Sequence, residues 1–162
     1  MSKYDWLLFL HLLGAGMLVA GAFAYHVIGF AIGRRDRPSE IATLVRLGRP
    51  LNVAIPLGAV MALGFGIWLA YTGREIPQYK ITDEWIIASI LLWVIGMALG
   101  SQGGRIYAEG GKLAERLAAH GDAPSPELRA IMQSPRAAVM TWASTAALLT
   151  ILVLMVWKPG AP

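Results

Sequence analysis

Apolar residues in this chain gather into four long runs rather than into the short periodic stretches of a soluble fold. The runs are Trp6–Gly33, Leu51–Tyr71, Trp85–Tyr107 and Ala137–Trp157, and none of them contains an acidic residue. Arg105, near the end of the third, is their only basic residue. A helical span needs about 20 predominantly apolar residues, so each run is long enough to cross a bilayer. The first would reach roughly 42 Å as a helix, which allows tilt or overhang. The pattern predicts an all-α membrane protein, a four-transmembrane-helix bundle occupying residues 1–162 as one domain. The expected spans are about 6–33, 51–72, 85–107 and 136–157.

The segments between the runs carry weaker helical signals. Pro38-Ser39-Glu40 starts a short helix with Ile41, Leu44, Val45 and Leu47 as its apolar side. Lys112–Ala119 is amphipathic, with Leu113 and Leu117 aligned, and Gly121 is a plausible stop. Leu128, Ile131 and Met132 mark another interfacial turn before Ser134-Pro135, which should cap the fourth span. Pro50 suits a helix start, and Pro56 is placed to kink the second span.

Small residues recur at helical spacing inside two spans. Ala54, Gly58, Ala62, Gly66 and Ala70 form one seam, and Gly96, Gly100 and Gly104 form a doubled GxxxG with Ser89 and Trp93 on the same side. In lipid, where no hydrophobic force drives helices together, such seams permit close backbone approach. Tight packing within the bundle explains the glycines of the third span. They and the pair Gly29 and Gly33 could also seat a membrane-protein partner or a second copy.

Composition agrees with the pattern. Of the 162 residues, 56% are hydrophobic and 15% charged, and a mean hydropathy of +0.55 is too high for an ordinary soluble domain. The net charge of +4 does not point to nucleic acid, because the cations are confined to particular loops. Arg34, Arg35, Arg37, Arg46 and Arg49 follow the first span, and the end of the third span and the loop after it carry Arg105, Lys112, Arg116, Arg129 and Arg136. Only Lys3, Arg74, Lys80 and Lys158 fall on the other side. The positive-inside rule places both basic loops in the cytoplasm and both termini outside a bacterial inner membrane. Trp6, Trp68, Trp85 and Trp157, with Tyr4, Tyr71 and Tyr79, would then form an aromatic belt at the outer interface. Ala22-Phe23-Ala24 has the look of a leader-cleavage site. The apolar run continues to Ile32 and Asp5 offsets Lys3, so the segment is expected to remain a span.

Candidate chemistry rests on two intramembrane histidines. His11 and His26 lie roughly 60° apart around the first helix and roughly 22 Å apart along it, too far to share one metal ion. Their face also carries Ala15, Ala22, Gly29 and Gly33, so it should look toward other helices. Each histidine would need its own partner: Met155 at the level of His11, and Met140 at the level of His26, with Asn52, Thr141 and Ser144 nearby in depth. Histidine and methionine are known axial ligands of haem, and one proximal histidine suffices. Alternatively each histidine is inter-helix glue, bonded to a carbonyl or hydroxyl of a neighbour. His120, in a hydrophilic turn, is expected to be solvated.

The absence of cysteine removes disulfides, thiolate metal sites, iron–sulfur clusters and covalently attached haem. No span holds a carboxylate, which leaves an ion-coupled transporter without its usual coupling group. GxSxG, HExxH and phosphate-loop motifs are missing too. Met17, Met61, Met97, Met140 and Met155 are spread over four spans, the habit of core filler rather than of a copper site.

The stretch Trp6-Leu-Leu-Phe-Leu-His11-Leu-Leu-Gly-Ala-Gly-Met-Leu-Val-Ala-Gly21 resembles the opening helix of a bacterial superfamily of small polytopic membrane proteins. That group includes the CopD-type copper-resistance domain, the HemJ-type protoporphyrinogen oxidase, and an uncharacterised family of predicted integral membrane proteins, domain of unknown function 2269. The last is the nearest in size and span count. The shared pattern is Leu-His near the outer end followed by Ala-Gly, here Leu10-His11 and Ala20-Gly21. The resemblance implies b-type haem on His11, the residue carried over as a metal ligand, and a redox or respiratory role. The HemJ-type later histidine and interior lysine of the third span have no counterpart here. Three functions are therefore expected in order: a haem-binding redox protein, an accessory subunit whose histidines only pack, and copper handling by superfamily analogy.

Overall fold

The computed structural model describes residues 2–72 and 80–160. Arg74 and Tyr79, counted above toward the charge asymmetry and the aromatic belt, lie outside the described residues. The chain is all-helical: α1 Lys3–Ile32, α2 Pro38–Leu47, α3 Leu51–Thr72, α4 Glu84–Ala119, α5 Pro126–Met132 and α6 Pro135–Trp157. Four of these helices are long and apolar enough to cross a membrane, as the apolar runs predict.

Helix starts follow local chemistry. Ser2 and Asp5 form a reciprocal capping box at the start of α1. Ser125 accepts from the Leu128 amide and Ser134 from the Ala137 amide, opening α5 and α6 with a proline in each first turn. At the other end of α4, Gly121 takes a φ of +115°, a conformation open to glycine, and turns the chain away.

The largest departure from the expected boundaries is α4. It does not stop near Tyr107 but runs unbroken to Ala119, roughly 54 Å, absorbing the amphipathic segment Lys112–Ala119. Gly110 and Gly111 lie where the helix would be weakest, and both are buried under neighbours. A Cβ at Gly110 would meet Met132 Cε at 2.8 Å, and one at Gly111 would meet Val45 Cγ1 at 2.7 Å. The two glycines let α5 and α2 close onto α4, and this packing offsets their poor helix propensity.

Helices pair before they bundle. In α1 and α3, contacts run antiparallel from His11 against Gly66, through Gly14 against Gly58 and Ala62, to Gly21 against Ile55. A Cβ at Gly14 would sit 2.6 Å from the Ala62 backbone nitrogen, so the two backbones nearly touch. In α4 and α6 the corresponding ladder is Gly96 against Ala147, Gly100 against Ser144, and Gly103 against Thr141. Gly96 and Gly100 are thus filled within the chain by α6 and are not a free seam for a partner. Among the described residues Gly104 meets only the Tyr25 hydroxyl, at 3.9 Å from a would-be Cβ, while a Cβ at Gly29 would meet nothing within 4 Å.

Between the two pairs the backbones stay apart within the spans, where Trp93, Met97 and Leu148 reach across to pack on Leu18, Ala59 and Ala62, and they close at the loop end. There α2, α5 and the last turns of α4 build a cap on Ile32, Ile41, Ala42, Ala114, Leu128 and Met132. Leu128 is 1% exposed and Ala114 fully enclosed, deeper burial than most span residues have. Arg129–Asp36, Arg35–Glu40 and Arg49–Glu115 ion pairs lace its rim. Leu47, expected on the buried side of α2, is exposed instead. The other end carries the aromatic residues. Trp6, Trp68 and Trp157 are exposed as a belt requires, whereas Trp85 is buried, with the Lys158 ammonium 6.0 Å from its ring.

Two substitutions on the glycine seams separate packing from helix propensity. Gly14→Ala should cost about 1–3 kcal/mol, because backbone rather than a flexible side chain has to move. Gly64→Ala, on an open face of α3, should be neutral or gain up to about 1 kcal/mol. Unfolding in detergent distinguishes them, and equal losses would refute the seam.

Asp122 fastens the cap. Its carboxylate accepts from the Ser39 amide at 2.7 Å and from the Ser39 hydroxyl at 2.6 Å, capping α2 from a distant loop. These two bonds, the hydroxyl's first, hold its carboxyl below the usual carboxylate range, with Arg37 adding to the effect. The sign follows from linkage: the contribution is present above the ordinary carboxylate pKa and is lost as pH falls through the lowered folded value. Thermal unfolding from about pH 7 to about pH 3 should show that loss. Asp122→Asn, which tolerates the same φ of 57°, should unfold earlier at neutral pH and lose less on acidification. Parallel pH profiles for the two proteins would rule the clamp out.

Candidate functional site: a cleft between the helix pairs

The two histidines have different surroundings. His11 Nδ1 lies 2.7 Å from the Ala62 carbonyl oxygen, and its ring rests on Gly66, where a Cβ would come within 2.9 Å. A carbonyl can only accept, so Nδ1 carries the proton and the bond ties α1 to α3. His11 therefore sits inside the closed α1–α3 seam. Met155, its expected partner, is on α6, which packs against α4.

His26 faces the other helix pair. Its Nε2 is 2.8 Å from Thr145 Oγ1, and its ring stacks on Trp142 at 3.9 Å between centroids. Thr145 donates its own hydroxyl proton to the Thr141 carbonyl, at 3.1 Å. With that proton so placed, the hydroxyl accepts from the Nε2–H tautomer of the imidazole. Met140, the partner expected at this depth, packs its Cβ beside Gly103 of α4 instead.

What His26 borders is a cleft. Because each pair closes on itself, an open volume remains between them. One cavity of about 400 Å³ is walled by α1, α3, α4 and α6, including Leu18, His26, Ile55, Trp93, Met97 and Ser144. A second, also about 400 Å³, continues toward the cap past Tyr107, Arg49 and Lys112. They share Tyr25, His26, Asn52, Gly104, Ala108 and Thr141, so the histidine stands where they meet. Tyr25 and Tyr107 contact edge to face at 5.8 Å in this region. Trp93 Nε1, at the cleft wall, is buried without a hydrogen-bond partner among the described residues. A concave, mostly apolar volume with a few polar groups is the usual form of a small-molecule site.

Of the four residues expected to hold a cofactor, the structure brings only His26 to this cleft. Asn52, Thr141 and Ser144, expected near it in depth, do line it. Thr145 and Trp142 were not anticipated. Thr141 and Thr145, four residues apart on α6, were a legible polar stripe, but stacking by Trp142 had no sequence signal. Among the described residues no three of His, Asp and Glu come together as a metal-binding group. His120 is exposed, as expected, and donates from Nδ1 to the Arg116 carbonyl at 2.8 Å.

Four apolar spans, two glycine-seamed pairs and a mostly apolar intramembrane cleft define a small polytopic integral membrane protein. The chain belongs to the family described as predicted integral membrane protein (DUF2269), whose model matches residues 5–159. No curated protein and no solved structure matches it.

Proposed function

We propose that this protein receives a lipophilic molecule from the bilayer into the cleft between its helix pairs, with His26 as the polar contact. The observation that carries this is the cleft itself: two internally tight pairs, held together at the cap, with an oriented imidazole at the junction of two cavities. Trp142 and Thr145 fix that ring without closing off the space beside it.

A second possibility, b-type haem, is favoured at His26 and disfavoured at His11. The His11 ring rests on Gly66 with its Nδ1 bonded to the Ala62 carbonyl, and His11 lines neither cavity of the cleft. His26 borders open volume, and a neutral imidazole has one unprotonated ring nitrogen. When bound, haem would supply one-electron chemistry, and Thr145 and Trp142 would orient the ligand that holds it. This possibility also carries the CopD/HemJ-like placement and the redox role. An accessory-subunit role, with histidines as struts, is supported by His11 and Ala62 but leaves the cleft unexplained. Nothing in the geometry favours copper handling.

Protein purified in mild detergent, after expression with ample haem, should carry a bound small molecule. Visible spectra and mass spectrometry of the extract would detect it. Ala22→Phe, which fills the cleft wall, should lose it while unfolding normally, and His11→Ala should keep it at a stability cost of about 1 kcal/mol. A colourless protein whose extract is the same for wild type and Ala22→Phe would end this proposal.

We further propose that the cap lies in the cytoplasm of a bacterial cell and that both termini lie outside the inner membrane, supported by the cations gathered at the cap end. The chain has no cysteine, so single introduced thiols report cleanly. A membrane-impermeant maleimide should label Lys3→Cys on intact spheroplasts and His120→Cys only after lysis. The opposite pattern would invert the topology.

A further inference from the structure

The cleft changes polarity along its length. Toward the middle of the spans its walls are Leu18, Ile55, Leu92, Leu148 and Ile151. Toward the cap they become Asn52, Ser101 and Arg105, beside Tyr25 and His26. From Leu92 to Arg105 along α4 is roughly 20 Å, long enough for most of an extended hydrocarbon chain. A volume of about 400 Å³ lies toward the small end of ligand pockets, with room for one chain rather than two.

Charge at the polar end has one sign. Among the described residues no Asp or Glu lines this cavity, and Glu115 of the adjoining one is taken by Arg49 at 2.6 Å. Arg105 makes no ion pair among the described residues, and neither does Lys112. Arg105 is exposed at the end of an apolar span and borders the cleft, so its guanidinium can meet an anionic group that enters there. Its planar fork matches a carboxylate.

We propose that the cleft takes a single-chain amphiphile with an anionic head, a long-chain carboxylate, held by Arg105 and Asn52. Its chain lies along Ile55, Leu92 and Leu148. This rests on the cleft being a ligand site and adds the class of ligand and its direction.

Trp93 on the cleft wall gives the readout. Brominated stearate titrated into the detergent-purified full chain should quench fluorescence saturably, and that part of the quenching should vanish in Trp93→Phe. Arg105→Gln should weaken the affinity about tenfold or more, the loss expected for a charge-assisted bond. Arg116→Gln, outside the cleft walls, should leave it unchanged. If brominated methyl stearate quenches with the same midpoint as the acid, the cleft stands and the anionic head is wrong. If a brominated phosphatidylglycerol binds more tightly than stearate, the single-chain assignment is wrong. If neither acid nor ester reaches Trp93, the cleft is not a ligand site and the reading beneath this one fails.

Discussion

Close approach of backbones at glycine is the constraint on which this structure depends. Lipid tails are as apolar as leucine, so helices in a membrane gain little by burying leucine against leucine. What they can gain is contact density, and here it comes from positions without a side chain. Gly14 and Gly58 bring α1 against α3, while Gly96, Gly100 and Gly103 bring α4 against α6. Each seam is satisfied by its own pair. The cleft is a by-product of that economy, because surfaces committed to one neighbour have little left for the other.

The cap resolves the resulting problem of cohesion by different physics. In the membrane the pairs meet through Trp93, Met97 and Leu148 packed against Leu18, Ala59 and Ala62, and through His26 with Thr145 and Tyr25 with Tyr107. Beyond it, water restores the hydrophobic effect, and Leu128, Ile41, Ala114 and Met132 bury as they would in a soluble protein. The ion pairs and the Asp122 clamp surround that core. The two helix pairs are thus joined by side-chain packing within the spans and by a small core outside them.

Much of this was legible in the residues, and what was not had physical causes. The four spans, the start of α2, the Ser134-Pro135 cap and the two small-residue seams follow from hydropathy, capping chemistry and spacing. The continuous α4 was missed because glycines such as Gly110 and Gly111 weaken a helix locally, and only tertiary contact shows why they are kept. Trp85 reads as an interfacial belt residue by position yet is buried, which a single chain's hydropathy cannot distinguish. For the site, sequence gave both histidines and the depth of Asn52, Thr141 and Ser144. It could not assign partners, because depth along a helix says nothing about which neighbour lies on which side. Met140 and Met155 matched the histidines in depth but lie on other sides of α6 or on another pair.

The unbroken α4 has a mechanical consequence. One rod forms a wall of the cleft, packs along α6, and carries the docking surfaces of α2 and α5. Pivoted about its middle by roughly 5°, a rod of this length moves each end by roughly 2 Å in opposite directions. Cleft width and cap seating are therefore not independent variables. They are two displacements of a single lever, and whatever wedges one end must be felt as torque at the other.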